Sequence, residues 1–275
     1  MRKIILTVIG LSLMSLPAMS QSNWGLRSSI GAEKKIAKGF DAGLEARYHQ
    51  TDNFRNTDRW SVGVSLSKRL YRNEAKTFNV KASLGYKYMN VYNDWSTKYK
   101  GDDEGIENGL DPQYYVNNGY SFNLNNAYVD SRHRVTASLQ AAVELGQFKL
   151  SLRESFQYTH TDSAQYVKDK YRVDNDIWTI NSESDVKSAS NSQKLRSKIT
   201  LDYNIPHWKY DPFVSYELFN AIDKGFKVDK SRITAGVDFS FNKMYNFEVA
   251  YMWQNQHDDD EPAGSFICLS YKIDF

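Results

Sequence analysis

The residues best placed to do chemistry gather around one two-residue turn, Gly146-Gln147. A two-residue turn between alternating runs fixes the register of the hairpin it closes. That register sets Val143, Ala141, Leu139, Ala137, Val135 and His133 opposite Leu150, Leu152, Glu154, Phe156, Tyr158 and His160 on one face. The other face carries Glu144/Lys149, Gln140/Arg153, Ser138/Ser155 and Thr136/Gln157. Directly opposed residues lie a few ångströms apart, so His133 and His160 are close enough to share a metal or to act as base and partner. Ser163, in "YTHTDSAQ", supplies a hydroxyl near His160. Glu154 is a carboxylate in an otherwise apolar row. A bulge turning it inward or a protein contact explains it better than a role as catalytic acid.

The elements that position these groups follow a period of two. "FDAGLEARYH" alternates Phe40, Ala42, Leu44, Ala46 and Tyr48 with Asp41, Glu45, Arg47 and His49; "WSVGVSLSKRL" and "FNVKASLGYKY" repeat the pattern. Similar runs occupy 24–33, 132–145, 148–160, 194–205, 211–219, 231–242, 245–253 and 266–275, which makes eleven candidate strands and no amphipathic helix. The runs are about 9–13 residues long. A tilted membrane-spanning strand needs about 9–11 residues, whereas soluble strands average about 5–6. Short connections at 37–39, 72–76, 146–147, 206–210 and 242–243 alternate with longer ones at 50–58, 93–131, 161–193, 220–230 and 254–265. Aromatics collect near the strand ends, as in membrane girdles.

The expected fold is therefore all-β: a single antiparallel transmembrane β-barrel of 10–12 strands with short periplasmic turns and long extracellular loops. A secreted β-sandwich would need neither strands this long nor loops sorted by length. An even strand count is the rule for such barrels, yet eleven strands leave the first starting at the extracellular side.

The first twenty residues read as a secretory signal: Arg2 and Lys3, the apolar run "IILTVIGLSLMSL", then small residues at Ala18 and Ser20. Residues 21–275 form the barrel domain, in the outer membrane of a Gram-negative cell. Without Arg2 and Lys3, the 35 basic residues fall level with the 33 acidic ones, and no basic run points to nucleic acid. The lone Cys268 excludes an internal disulfide framework. Aromatic residues reach 14% while mean hydropathy is −0.63, the outcome when apolar residues fill only one face of many strands.

The opposite faces form a charged lumen. Its candidate lining includes Glu45, Arg47, Arg134, Arg153, Lys198, Glu217, Arg232, Asp238 and Glu248. Mixed charges on facing strands form either a salt-bridged plug or a narrow polar pore. Acidic stretches at 101–105 and 257–262 lack metal-loop spacing. There is no glycine-rich phosphate loop, zinc spacing or Gly-x-Ser-x-Gly elbow, so no cofactor and no metal is expected.

Two resemblances follow from these runs. The final strand, with Tyr271, Ile273 and Phe275 alternating to a terminal aromatic, resembles the signal by which bacterial outer-membrane barrels are recognised for assembly. From "DRWSVGVSLSKRL" and "LGYKYM" through "PFVSYELF" and "SRITAGVDFSFNK" to "LSYKIDF", the chain resembles the outer-membrane family known as domain of unknown function 2490. That resemblance implies a fold and a location without an activity. Outer-membrane lipases of the phospholipase and lipid A deacylase type carry a Ser two residues after their His. Here Asp162 stands at that position. The leading expectation is a structural or surface-binding barrel, or a narrow channel for a small polar solute. The alternatives are an outer-leaflet lipid hydrolase using His160 and a loop-based interaction platform. Expected partners are outer-membrane lipids and lipopolysaccharide, the barrel assembly machinery, and a surface or periplasmic protein.

Overall fold

The computed structural model describes residues 24–102, 105–175, 177–242, 244–256 and 263–275. The signal sequence and the acidic stretch 257–262 lie outside the described residues. In chain order the elements are β1 (Trp24–Ala37), β2 (Phe40–Thr51), β3 (Asn56–Arg72), β4 (Phe78–Asn93), β5 (Ser96–Tyr99), α1 (Pro112–Asn117), β6 (Phe122–Asn125), β7 (Tyr128–Leu145) and β8 (Phe148–Thr161). There follow β9 (Ala164–Asp174), β10 (Ile177–Lys187), β11 (Ser190–Tyr203), β12 (Tyr210–Ala221), β13 (Lys227–Phe241), β14 (Tyr245–Gln256) and β15 (Gly264–Asp274).

Eleven strands close into a barrel in the order β1-β15-β14-β13-β12-β11-β8-β7-β4-β3-β2. Every pairing is antiparallel except the seam, where β1 runs parallel to β15 from Trp24↔Ser265 to Glu33↔Asp274. An odd number of antiparallel neighbours leaves the first and last strands pointing the same way, so closure must be parallel. The strand count that an even-number rule could not close is closed by this seam. Beyond it, the Phe275 amide donates to the Glu33 carbonyl at 2.8 Å.

One end of the barrel carries the short turns; the other carries a second sheet. The connections 94–127 and 162–189 fold together into four strands ordered β10-β9-β6-β5, so these regions are structured where the sequence pattern reads only loops. Phe122 has no exposed surface. Its ring stacks on Tyr171 at 4.5 Å and on Tyr115 at 4.9 Å. The aromatics crowded into 93–131 thus form a small core of their own. Asp111 caps α1 by accepting from the Gln113 amide at 2.7 Å. The connection read as a long loop at 50–58 is instead a tight turn through Asp52, Asn53 and Phe54, all in the left-handed region, and β2 and β3 run on to meet it.

The barrel wall inverts the burial of a soluble protein. Outward residues such as Leu44 (59% exposed) and Leu84 (57%) are apolar and bare, which suits hydrocarbon rather than water. The apolar run Val135–Val143 on β7 covers nine residues, about 20 Å of height for a strand tilted roughly 40°. An aromatic row closes the belt at the turn end. Tyr210, Phe239, Phe247 and Tyr271 are register partners on four adjacent strands, with ring centroids 4.9–5.5 Å apart. At the sheet end, Trp60 meets Tyr88 at 5.8 Å and Trp24 meets Tyr251 at 5.9 Å.

Candidate functional site

Alternation on each strand sends one set of side chains into the lumen, and the register stacks them in levels. Toward the sheet end the lumen is packed. Gln254 on β14 has no exposed surface, and Met89 and Phe266 are each 2% exposed. Gln254 Oε1 accepts from Arg232 Nε at 2.6 Å and from Arg27 Nη2 at 3.1 Å. The Arg27 guanidinium lies 4.3 Å from the centre of the Phe266 ring. Phe219 is flanked by Arg232 at 4.6 Å and Lys230 at 4.7 Å. Glu217 takes Arg196 and, at 3.8 Å, Arg232; Lys194 pairs with Asp229. A water-filled bore would wet the side chains lining it. Gln254, Met89, Phe266, Phe219 and Glu217 are dry, so the layer closes the lumen around them, with Arg27 and Arg196 half-buried at its edge. Gly25 makes room for it: a Cβ there would fall 2.6 Å from the Phe266 ring.

Three cavities lie along the lumen. The mouth, about 930 Å³, is bounded by Trp24, Asp52, Tyr92, Arg132 and Phe266. A middle chamber of about 330 Å³ lies beyond the packed layer, and Arg132 lines both. A lower chamber of about 190 Å³ sets Lys149, Arg153 and Lys198 against Asp202, Asp238 and Glu248; Arg153 lines both chambers.

The named lining residues all fall on the inward face. Glu45 pairs with Arg47 at 2.8 Å and with Lys87 at 3.5 Å. Arg134 Nε donates to the Thr159 hydroxyl at 2.9 Å. Arg153 and Lys198 are register partners across β8 and β11, as are Asp238 and Glu248 across β13 and β14. The lower lumen therefore has a basic wall and an acidic wall, with Lys149–Asp202 at 3.6 Å where they meet. Cys268 also faces inward, as a free thiol.

On the outer face, the β7–β8 register follows the hairpin pairing residue for residue, including His133↔His160 and Leu139↔Glu154. The bulge expected at Glu154 is absent. Glu154 stays outward by strand parity, and the Ser197 hydroxyl donates to it at 2.6 Å, which gives the carboxylate a partner within the belt. At the rim, Asp162 bridges the two imidazoles: its Oδ2 lies 3.4 Å from His133 Nε2 and its Oδ1 lies 3.3 Å from His160 Nε2. The remaining ring nitrogens meet Tyr86 Oη and Asn191 Oδ1, at 2.7 and 2.8 Å. Ser163 is exposed beyond the strand end and makes no hydrogen bond to either histidine. The arrangement orients two imidazoles but aims neither at a serine hydroxyl. Among the described residues no group of three His, Cys, Asp or Glu is disposed to hold a metal.

The packed layer is what strand alternation alone did not expose. Phe219 follows Glu217 by two on "YELF", so its inward position was readable; its role in sealing the lumen depends on Arg232 and Phe266 from other strands. Gln254 lies one residue past the run 245–253.

Among curated proteins, none matches the chain. The translocator domain of autotransporter NalP from Neisseria meningitidis is similar at 11% identity and a TM-score of 0.42, over 81% of this chain and 70% of that one. A family model described as Protein of unknown function (DUF2490) matches residues 24–263, every barrel strand except β15, and the chain belongs to that family.

Proposed function

We propose that the protein resides in the outer membrane of a Gram-negative cell, with its sheet end outside, and that its lumen is a narrow pathway for a small polar solute, closed in the state described. The reading rests on one observation: three cavities lie in file along the lumen, the inner two lined mainly by polar groups, with Arg132 shared by the first two and Arg153 by the last two. The signal-like leader and the bare apolar belt support the location. The belt faces outer-membrane lipids and lipopolysaccharide, and Tyr271, Ile273 and Phe275 serve recognition by the assembly machinery.

Planar-bilayer conductance of the refolded mature protein tests the reading, with heat-modifiable gel migration reporting the fold. The wild type is expected to open rarely, and Gln254→Ala to raise the open time by removing the acceptor that holds Arg27 and Arg232. A folded Gln254→Ala barrel that stays silent overturns the pathway.

A surface-binding role is carried separately by the second sheet, whose outer strand β10 pairs, among the described residues, with β9 alone and leaves an eleven-residue edge without a strand partner. Such an edge accepts an added strand. A partner that binds through it is lost when 177–187 is deleted and conductance is unchanged.

A further inference from the structure

We propose that the middle chamber is a binding site for a compact oxyanion, a phosphate or sulfate group either free or carried on a sugar-sized body. This deepens the pathway reading, although occupancy of the chamber is measured without conduction.

Charge carries the inference. Eleven Lys and Arg side chains line the chamber, against one lining carboxylate, Glu45, and four behind the lining, Asp58, Asp130, Glu217 and Asp229, which pair with Arg59, Arg132, Arg196 and Arg232, and Lys194. Glu45 is already engaged by Arg47 and Lys87. Arg153 lines the chamber and stands opposite Lys198, which lines the lower chamber next to it and has Glu217 as its register partner on β12. Among the described residues, no carboxylate forms an ion pair with Arg153. Like charges directly opposed across a sheet repel. In the reduced dielectric of a lumen that repulsion is stronger than in water. An entering anion relieves it.

Geometry narrows the class. Guanidinium forks match the paired oxygens of phosphate and sulfate, and Ser138 and Ser155 add hydroxyl donors to the same wall. A chamber of about 330 Å³ is near the lower limit of small-molecule sites, about 300 Å³. It admits a sugar phosphate and is too small for a lipid or an oligosaccharide.

The test is calorimetric titration of the full barrel in detergent at low salt, with pyrophosphate, glucose 6-phosphate and glucose. Saturable binding of the first two and none of glucose is expected, with affinity reduced at least about tenfold in Arg153→Gln/Lys198→Gln. Tighter binding of pyrophosphate identifies a free oxyanion, and tighter binding of glucose 6-phosphate a carried one. A second readout guards against misfolding: the double variant should melt at a higher temperature than wild type without anion, and added pyrophosphate should raise the wild type toward it. No saturable heat with either anion, or equal binding by wild type and variant, overturns the site. Binding without conduction removes the pathway and leaves the site; conduction without binding does the reverse.

Discussion

Arg232 donates its Nε hydrogen to Gln254 Oε1 at 2.6 Å in a position with no exposed surface on the glutamine. The two residues are register partners on β13 and β14, so the backbone ladder itself aims one at the other. This hydrogen bond joins Arg27, Phe266, Phe219 and Glu217 into the layer that closes the lumen. Truncating Gln254 leaves two guanidinium groups without their shared acceptor. Loss of a buried hydrogen bond to a charged group costs about 1.5–3 kcal/mol. Gln254→Ala should therefore lower the temperature at which the folded gel band disappears, while Gln254→Glu, which keeps an acceptor, should retain it.

The parallel seam makes a second prediction. Gly25 sits where a Cβ would come within 2.4 Å of the Gln50 carbonyl and 2.6 Å of the Phe266 ring. Gly25→Ala forces both neighbours to move, at a cost of about 1–3 kcal/mol typical of overpacking. Combining it with Phe266→Leu should recover only part of the loss, because the backbone contact remains. Thermal melts of the three variants check this; full recovery would show that the ring alone sets the limit.

The second sheet should unfold without the barrel. Phe122→Ala removes the ring between Tyr115 and Tyr171, and loss of a buried aromatic costs about 3–5 kcal/mol. That is large for a four-stranded unit with one small core. Limited proteolysis should then cut within 94–127 and 162–189 while the barrel stays resistant. Cleavage that spreads into β7 and β8 would mean that sheet and wall fold as one unit.

The same sheet carries a pH dependence. The Lys168 ammonium at 2.8 Å holds the Asp185 carboxyl down to about 2, helped by the Val186 amide and the Tyr166 hydroxyl. A depressed carboxylate contributes stability that is complete above its ordinary value of 3.8 and disappears as pH falls through about 2. The pair is exposed, so its effect is small and weakened by salt. Hydrogen exchange of the β9–β10 amides should quicken between about pH 4 and pH 2 relative to the barrel amides, and Asp185→Asn should remove most of that acid dependence.

The rim cluster predicts a negative result with content. His160 is held by Asn191 and faces Asp162 where a lipase would place its serine. Phospholipid turnover by the folded barrel should match that of His160→Ala. Turnover that His160→Ala abolishes would require Ser163 to reach the imidazole.

The alternation of Phe40 to Tyr48, Trp60 to Leu66 and Phe78 to Tyr88 determined eleven strands and their two faces, because a residue's face in a strand depends only on its parity. The Gly146-Gln147 turn determined the whole β7–β8 register, including His133 opposite His160, because a two-residue loop permits no slip. Parity cannot say which inward side chains meet. The sealing of the lumen by Gln254, Arg232 and Phe266, and the lack of an ion pair for Arg153 among the described residues, depend on how strands distant in sequence are staggered around the barrel. The parallel join of β1 to β15 likewise follows from closure, which is a property of the ring and of no single strand. The long connections kept their sheet hidden for a related reason: β6 finds its partners in β5 and in β9, 43 residues on at Asn125↔Lys168, and short strands paired over such a distance leave little local pattern to read.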